Sequence, residues 1–363
     1  MTHVQQGQQE KEPVTRKGYA LRDVARSFVQ VLGEASPVAS GKLLHYTADL
    51  IGSGGFDLWV TLCWDYAFEH IGLASPRIFV YLKKKFAELM KHHADIPFAT
   101  FVYSPTIQQA TFEVVLILQG CPKRLKTKMP PTHSETHQND GWFEATATSP
   151  LREAVRRAWS RDHDQEVLAR ATNEMMVAIT DGALEKALFW LKWIQEEDGL
   201  VRRLHKSGLS TMERGPADSK QRTAVSYFVC AVAAEAYKEF AAKGLVRMHE
   251  EVQALLDLYR SGDRHLSAAR RQDILILILQ ILTEVPRWKV PAAPSLVRDP
   301  IVLERAVAQA ETFYREIMAH PMPTKPLPAK VGPLKKKIVP TSQDKLQHQL
   351  NSLDDAILSF YKL

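Results

Sequence analysis

The stretch Asp181-Gly-Ala-Leu-Glu-Lys-Ala-Leu-Phe-Trp-Leu-Lys-Trp-Ile-Gln-Glu-Glu-Asp198 carries the clearest helical pattern in the chain. Leu184, Leu188, Leu191 and Ile194 recur at 4-3-3 spacing, which lines them along one face of an α-helix. Phe189, Trp190 and Trp193 widen that stripe until only Glu185, Lys186, Lys192 and the run from Gln195 to Asp198 are left for water. A helix of this kind is mostly buried, and it organises a fold rather than a chemistry. Asp181 reads as its N-cap, the carboxylate accepting from the free N–H groups of the first turn.

The rest of the chain repeats the helical period. Leu21, Val24, Phe28 and Leu32 mark a first amphipathic helix, closed by Gly33 and a Ser36-Pro37 turn. A short second helix is expected over residues 43–51. Gly52-Ser-Gly-Gly55 then reads as a tight bend, and residues 56–71 are apolar on nearly every side. A phosphate cradle at that bend has little support, because GxxxxGK[ST] is absent. Ser75-Pro76 opens a helix with Phe79, Leu82, Phe86 and Leu89 inside and Lys83, Lys84, Lys85 and Lys91 outside. Ser104-Pro105 gives a second start signal, and residues 114–118 are expected to be helical although their β-branched side chains would also suit a strand.

Residues 151–180 resume helix, with Arg152, Arg156, Arg157 and Arg161 on an outer face. Further helices are expected over 221–242, 246–259, 268–282 and 300–318. Strand never alternates with helix, so the α/β nucleotide-binding folds have no support. The expected fold class is all-α, a multi-helix bundle or irregular helical array. Its divisions are a disordered N-terminal arm (1–16), a helical region (17–122), a polar linker (123–149), a second helical region (150–320), a Pro/Lys-rich linker (321–341) and a terminal amphipathic helix (342–363).

With 363 residues, 45% hydrophobic and 24% charged, the chain can build a large core. The longest apolar run, Ile274 to Leu279, is continued through Gln280 by Ile281 and Leu282 and even so is about half of what a membrane span needs, so no membrane span is expected. Cys63, Cys121 and Cys230 are odd in number and far apart, which suits buried thiols in a reducing compartment. Five of the six surplus positive charges fall on the lysines of residues 321–343. A cationic tail of that kind meets a polyanion, an import receptor or an acidic surface.

Beyond that tail Leu346, Leu350, Leu353, Ile357 and Phe360 make an apolar seam at 4-3-4-3 spacing. A helix this short gains its stability from what it packs against, so the seam is expected to dock on a protein partner, a second copy of the chain or the chain's own core. Pro333-Leu-Lys-Lys-Lys-Ile338, with Lys335, Lys336 and Lys337, resembles a short nuclear import signal. Pro323-Thr-Lys-Pro326 matches a bare PxxP. Asp354-Asp-Ala-Ile357-Leu-Ser-Phe360-Tyr361 resembles the sliding-clamp interaction motif in its aliphatic residue and aromatic pair, with Asp354 in place of the motif's glutamine. That resemblance implies a partner in replication or repair, held by Ile357, Phe360 and Tyr361.

Candidate chemistry is sparse. Cys121, His133 and His137 supply three ligands of a zinc site and no fourth. Asp162-His163-Asp164 reads as a solvated helix start, because adjacent helical residues do not face each other. No catalytic residue, metal site or cofactor is assigned. The expected function is therefore a non-catalytic intracellular scaffold or adaptor, cytoplasmic or nuclear, that binds a protein partner through its C-terminal helix. One alternative is an accessory protein of nucleic-acid machinery using the tail lysines and the arginine face. Another is an enzyme with an unfamiliar helical site.

Overall fold

The computed structural model describes residues 12–132, 143, 150–245, 249–284, 296, 297 and 299–331. It is all-α, and among the described residues there is no strand, only two isolated bridges. The helices fall into two compact units.

The first unit takes 12–66, 84–121 and the described residues from 296 onward. Its helices are α1 (Leu21–Leu32), α2 (Pro37–Gly52), α3 (Phe56–Tyr66), the C-terminal part of α4 (Arg77–Asp95), α5 (Phe98–Tyr103), α6 (Pro105–Gly120), α13 (Pro300–Ala308) and α14 (Ala310–Met318). The hub is α2, on which α1, α3, α6 and α14 all pack. Every residue from Leu43 to Gly52 is buried. A helix covered all round shows no one-sided stripe, which is why its sequence announces only a short segment. Ser36-Pro37 does not close α1. It starts α2: the Ser36 hydroxyl accepts from the Ala39 N–H at 3.1 Å and Pro37 takes the first helical position. The core is aromatic, with Phe86 edge-on to Trp59 and Trp64 at 5.6 and 5.2 Å.

The second unit takes 67–83 and the described residues between 122 and 284. A π-helical turn, Ala67–Ile71, and a 3-10 turn, Gly72–Ala74, follow α3. Then come the N-terminal part of α4 and α7 (Glu153–Ala158), α8 (Glu166–Asp181), α9 (Leu184–His205), α10 (Val225–Ala242), α11 (His249–Arg260) and α12 (Ala268–Glu284). The stretch quoted above forms the α8–α9 hairpin. Leu188, Trp190, Leu191, Trp193 and Ile194 are buried as its period requires.

Two details differ from the sequence reading. Asp181 ends α8 rather than capping α9, because Gly182 at φ +76° turns the chain there and its N–H closes on Ile179 O at 3.1 Å. Asp198 is not left for water. Helix α9 runs on to His205, and the Asp198 carboxylate accepts from Arg202 Nε at 2.7 Å and the Leu209 N–H at 2.8 Å. Gly208 lies so close that a Cβ there would come within 2.2 Å of Asp198 Oδ1.

All three cysteines are buried free thiols, as the sequence suggested. Among the described residues no helix is long and apolar enough to cross a membrane.

Candidate functional site

Three places concentrate polar chemistry. The first surrounds the C-terminal end of α2. Residues 12–16, which composition assigns to the N-terminal arm, fold back through a Val14–Ala20 bridge, and Thr15 is buried. Arg16 explains the docking. Its Nε donates to Gly52 O at 2.6 Å, its Nη1 to His320 O at 2.5 Å, and its main-chain N–H to Ser53 Oγ at 2.8 Å. One guanidinium thus serves the carbonyl ends of α2 and α14, where helix dipoles favour a cation. The glycine bend is accordingly a packing surface: a Cβ at Gly55 would sit 3.1 Å from Leu327 and one at Gly54 3.4 Å from Met322.

Beneath Arg16, His45 and Asp49 lie one helical turn apart on α2, at 1% and 0% exposure. Neither ring nitrogen of His45 has a hydrogen-bond partner among the described residues, and neither does Asp49 Oδ2. Asp49 Oδ1 accepts from the Lys17 N–H at 3.4 Å and Ser53 Oγ at 3.3 Å. Burial, helped by the Lys17 charge, lowers His45 to about 4. Burial raises Asp49 to about 6 against the hydrogen bonds it accepts. Tyr19, edge-on to His45 at 6.3 Å, is pushed by burial up to about 12. Lys17 pairs with Glu316 at 2.6 Å, and Glu316 and His320 also act on His45. His45 and Asp49 are sealed from solvent, so their ionisation acts on stability.

Their pH effects oppose each other. The unfolded chain protonates its histidine near pH 6.5, so His45 withdraws stability as pH falls from there to about 4. Asp49 holds its proton more tightly when folded, so it adds stability as pH falls from about 6 towards 3.8. Each contribution is roughly 3 kcal/mol, so they nearly cancel. Relative to the parent protein, Asp49→Asn should lose melting temperature between pH 6.5 and 4.5, and His45→Leu should gain it. Parallel profiles for all three proteins would refute this account of the cluster.

The second place is a buried ion pair in the second unit. Arg214 reaches Asp164 with both terminal nitrogens, Nη1 to Oδ1 at 2.9 Å, and the carboxylate also accepts from Ser210 Oγ at 2.6 Å and the Ser160 N–H at 2.8 Å. Burial pushes the Asp164 carboxyl up, but Arg214 and these donors hold it below the usual range. Arg214 also lies over the Phe228 ring at 5.0 Å. The pair staples the turn before α8 to residues 210–214. The sequence reading of Asp164 as solvated fails because its partner lies 50 residues away.

The third is the segment 122–132. Arg124 donates its N–H to His70 O at 2.8 Å and pairs with Glu284 at 3.5 Å; Lys126 pairs with Asp273 at 2.8 Å. Gln280 Nε2 donates to Thr127 Oγ1 at 2.6 Å, and Lys192 Nζ to Pro130 O at 3.0 Å. The first part of the expected polar linker is therefore strapped along α12 and α9. Leu125 in this segment is 94% exposed.

Comparison with protein-family models, curated proteins and solved structures finds no match.

The residues singled out in the sequence fall as follows. Arg152, Arg156, Arg157 and Arg161 are all exposed on or near α7. Arg156 and Arg157 pair with Glu153, and Arg157 also with Glu235 at 3.7 Å, so much of that face is already neutralised. Lys335, Lys336, Lys337, Leu346, Leu350, Leu353, Ile357, Phe360 and Tyr361 lie outside the described residues, as do His133 and His137. Arg16, His45, Asp49 and Arg214 carried no sequence signal, since each acts through partners distant in the chain. The exception is the His45/Asp49 spacing, which places both on one face.

Proposed function

We propose that the protein is a non-catalytic helical adaptor whose C-terminal segment, 342–363, recognises a protein partner through Leu346, Leu350, Leu353, Ile357, Phe360 and Tyr361. The observation that carries this reading is the anchorage of the chain's way out. Arg16 holds His320 O and contacts Met322 Sδ at 3.1 Å, and Leu327 rests against Gly55. From there to Val331 the prolines and lysines are mostly exposed. The chain is thus anchored on the first unit as far as Leu327, ahead of the proposed recognition segment. An exposed apolar surface on the same unit supports the reading: Ile301 and Val302 on α13 are 62% and 57% exposed, beside a cleft of about 350 Å³ that also touches Pro37 and Ile117.

The test compares the full chain, the chain lacking 343–363 and a synthetic 342–363 peptide as competitor in affinity capture. A partner kept by the full chain, lost on truncation and displaced by the peptide is expected; equal capture by both chains would remove the reading. The alternative, nucleic-acid binding, rests on Lys335, Lys336 and Lys337, given the paired state of Arg156 and Arg157. It would appear as duplex binding that weakens steeply with salt.

A further inference from the structure

We infer that residues 13–19 act as a releasable clasp on the chain's way out of the first unit, so that this strap and the segment after Met318 open and close together. The ties run through two consecutive side chains. Arg16 donates to His320 O at 2.5 Å and reaches Met322 Sδ at 3.1 Å, and Lys17 pairs with Glu316 in the last turn of α14 at 2.6 Å. The same strap is fixed to α2 through Gly52 O, Ser53 Oγ and Asp49 Oδ1. Arg16 and His320 are 304 positions apart, so the closure is purely tertiary.

The composition of the contact makes it open at lower cost than the core beneath. Between Pro13 and Tyr19 only Thr15 and Tyr19 are buried, and no residue from His320 to Val331 is, so opening exposes little apolar surface. The ties themselves sit at the rim: the Glu316 side chain is 54% exposed and Met322 46%, and water readily replaces such contacts. Opening also brings water to the two ring nitrogens of His45 and to Asp49 Oδ2, which have no hydrogen-bond partner among the described residues. That gain offsets part of the loss. Helix α2, buried at every position from Leu43 to Gly52, stays in place. Release of residues 319–327 adds up to about 30 Å of reach to the chain that follows. On the adaptor reading, that length sets how far the recognition segment extends from the body; the clasp itself does not depend on that reading.

Hydrogen exchange on the full chain reads both sides without any partner, so failure of the clasp and failure of the adaptor reading are separate results. The bonded N–H groups of Thr15, Gly18 and Leu21 report the strap, and those of Ala319 and His320 report the exit. A nitroxide on Thr324→Cys reports the proline-rich stretch beyond, selectively, because Cys63, Cys121 and Cys230 are buried. In the parent protein both sets of amides should exchange faster than those of α2. Tyr19→Ala, which leaves Arg16 in place, should lower protection at the strap and at the exit alike by about tenfold, and should mobilise the label, with α2 unchanged. Glu316→Ala, an exposed change on the other side, should lower protection at Gly18 and Leu21 by about threefold. Strap amides that exchange only together with α2 would overturn the inference. So would a Tyr19→Ala protein whose strap loosens while Ala319, His320 and the label behave as in the parent, or a Glu316→Ala protein with an unchanged strap.

Discussion

Arg214→Met should destabilise the second unit by about 3–5 kcal/mol, which lowers its melting temperature by roughly 6–20 °C. The Asp164 side chain is fully buried and that of Arg214 only 10% exposed. Removing the guanidinium therefore strands a carboxylate that Ser210 and the Ser160 N–H alone do not neutralise. A built-in comparison shows whether burial is the cause. Arg202 makes a like contact with Asp198 at 2.7 Å, but its side chain is 36% exposed, so Arg202→Met should cost clearly less. The Arg214→Met deficit should also shrink on acidification, because burial raises the stranded carboxyl and it takes up a proton before the parent's paired carboxylate does. Denaturant curves giving equal costs for the two arginines would dismiss the buried pair as a staple.

Trp193→Ala should cost a similar 3–5 kcal/mol or so, because truncating a buried tryptophan loses its transfer energy and leaves a cavity. Trp193 is 1% exposed and sits edge-on to Trp190 at 5.6 Å and Phe143 at 5.9 Å. Urea unfolding followed by circular dichroism measures the loss. A change below about 1 kcal/mol, the size of an ordinary surface substitution, would mean that α9 does not organise the second unit.

Helix existence and the choice of inward faces were legible because both follow from local spacing. Phe79, Leu82, Phe86 and Leu89 are each 2% exposed or less, as their period along α4 requires. Residues 114–118 are helical rather than strand, within α6. What local spacing misses is whatever depends on distant partners. The hub of the first unit, α2, is buried all round from Leu43 to Gly52, so its periodic signal is weak. The span 300–318 reads as one helix but breaks at Gln309 into α13 and α14, and α14 packs on α2 and α6, far back in the chain. Arg16 looks like one more charge in a polar arm until Gly52 O and His320 O are brought to it.

The adaptor reading depends on a helical body that stands without its recognition segment. The direct measurement is the melting temperature of the full chain beside that of the chain lacking 343–363. Agreement within about 2 °C is expected, since among the described residues the buried hydrophobic side chains run no further than Ile317. A drop of roughly 6 °C or more would show that Leu346, Leu350, Leu353 and Ile357 belong to the core of the protein, and the account of a body with a separate recognition segment would be wrong.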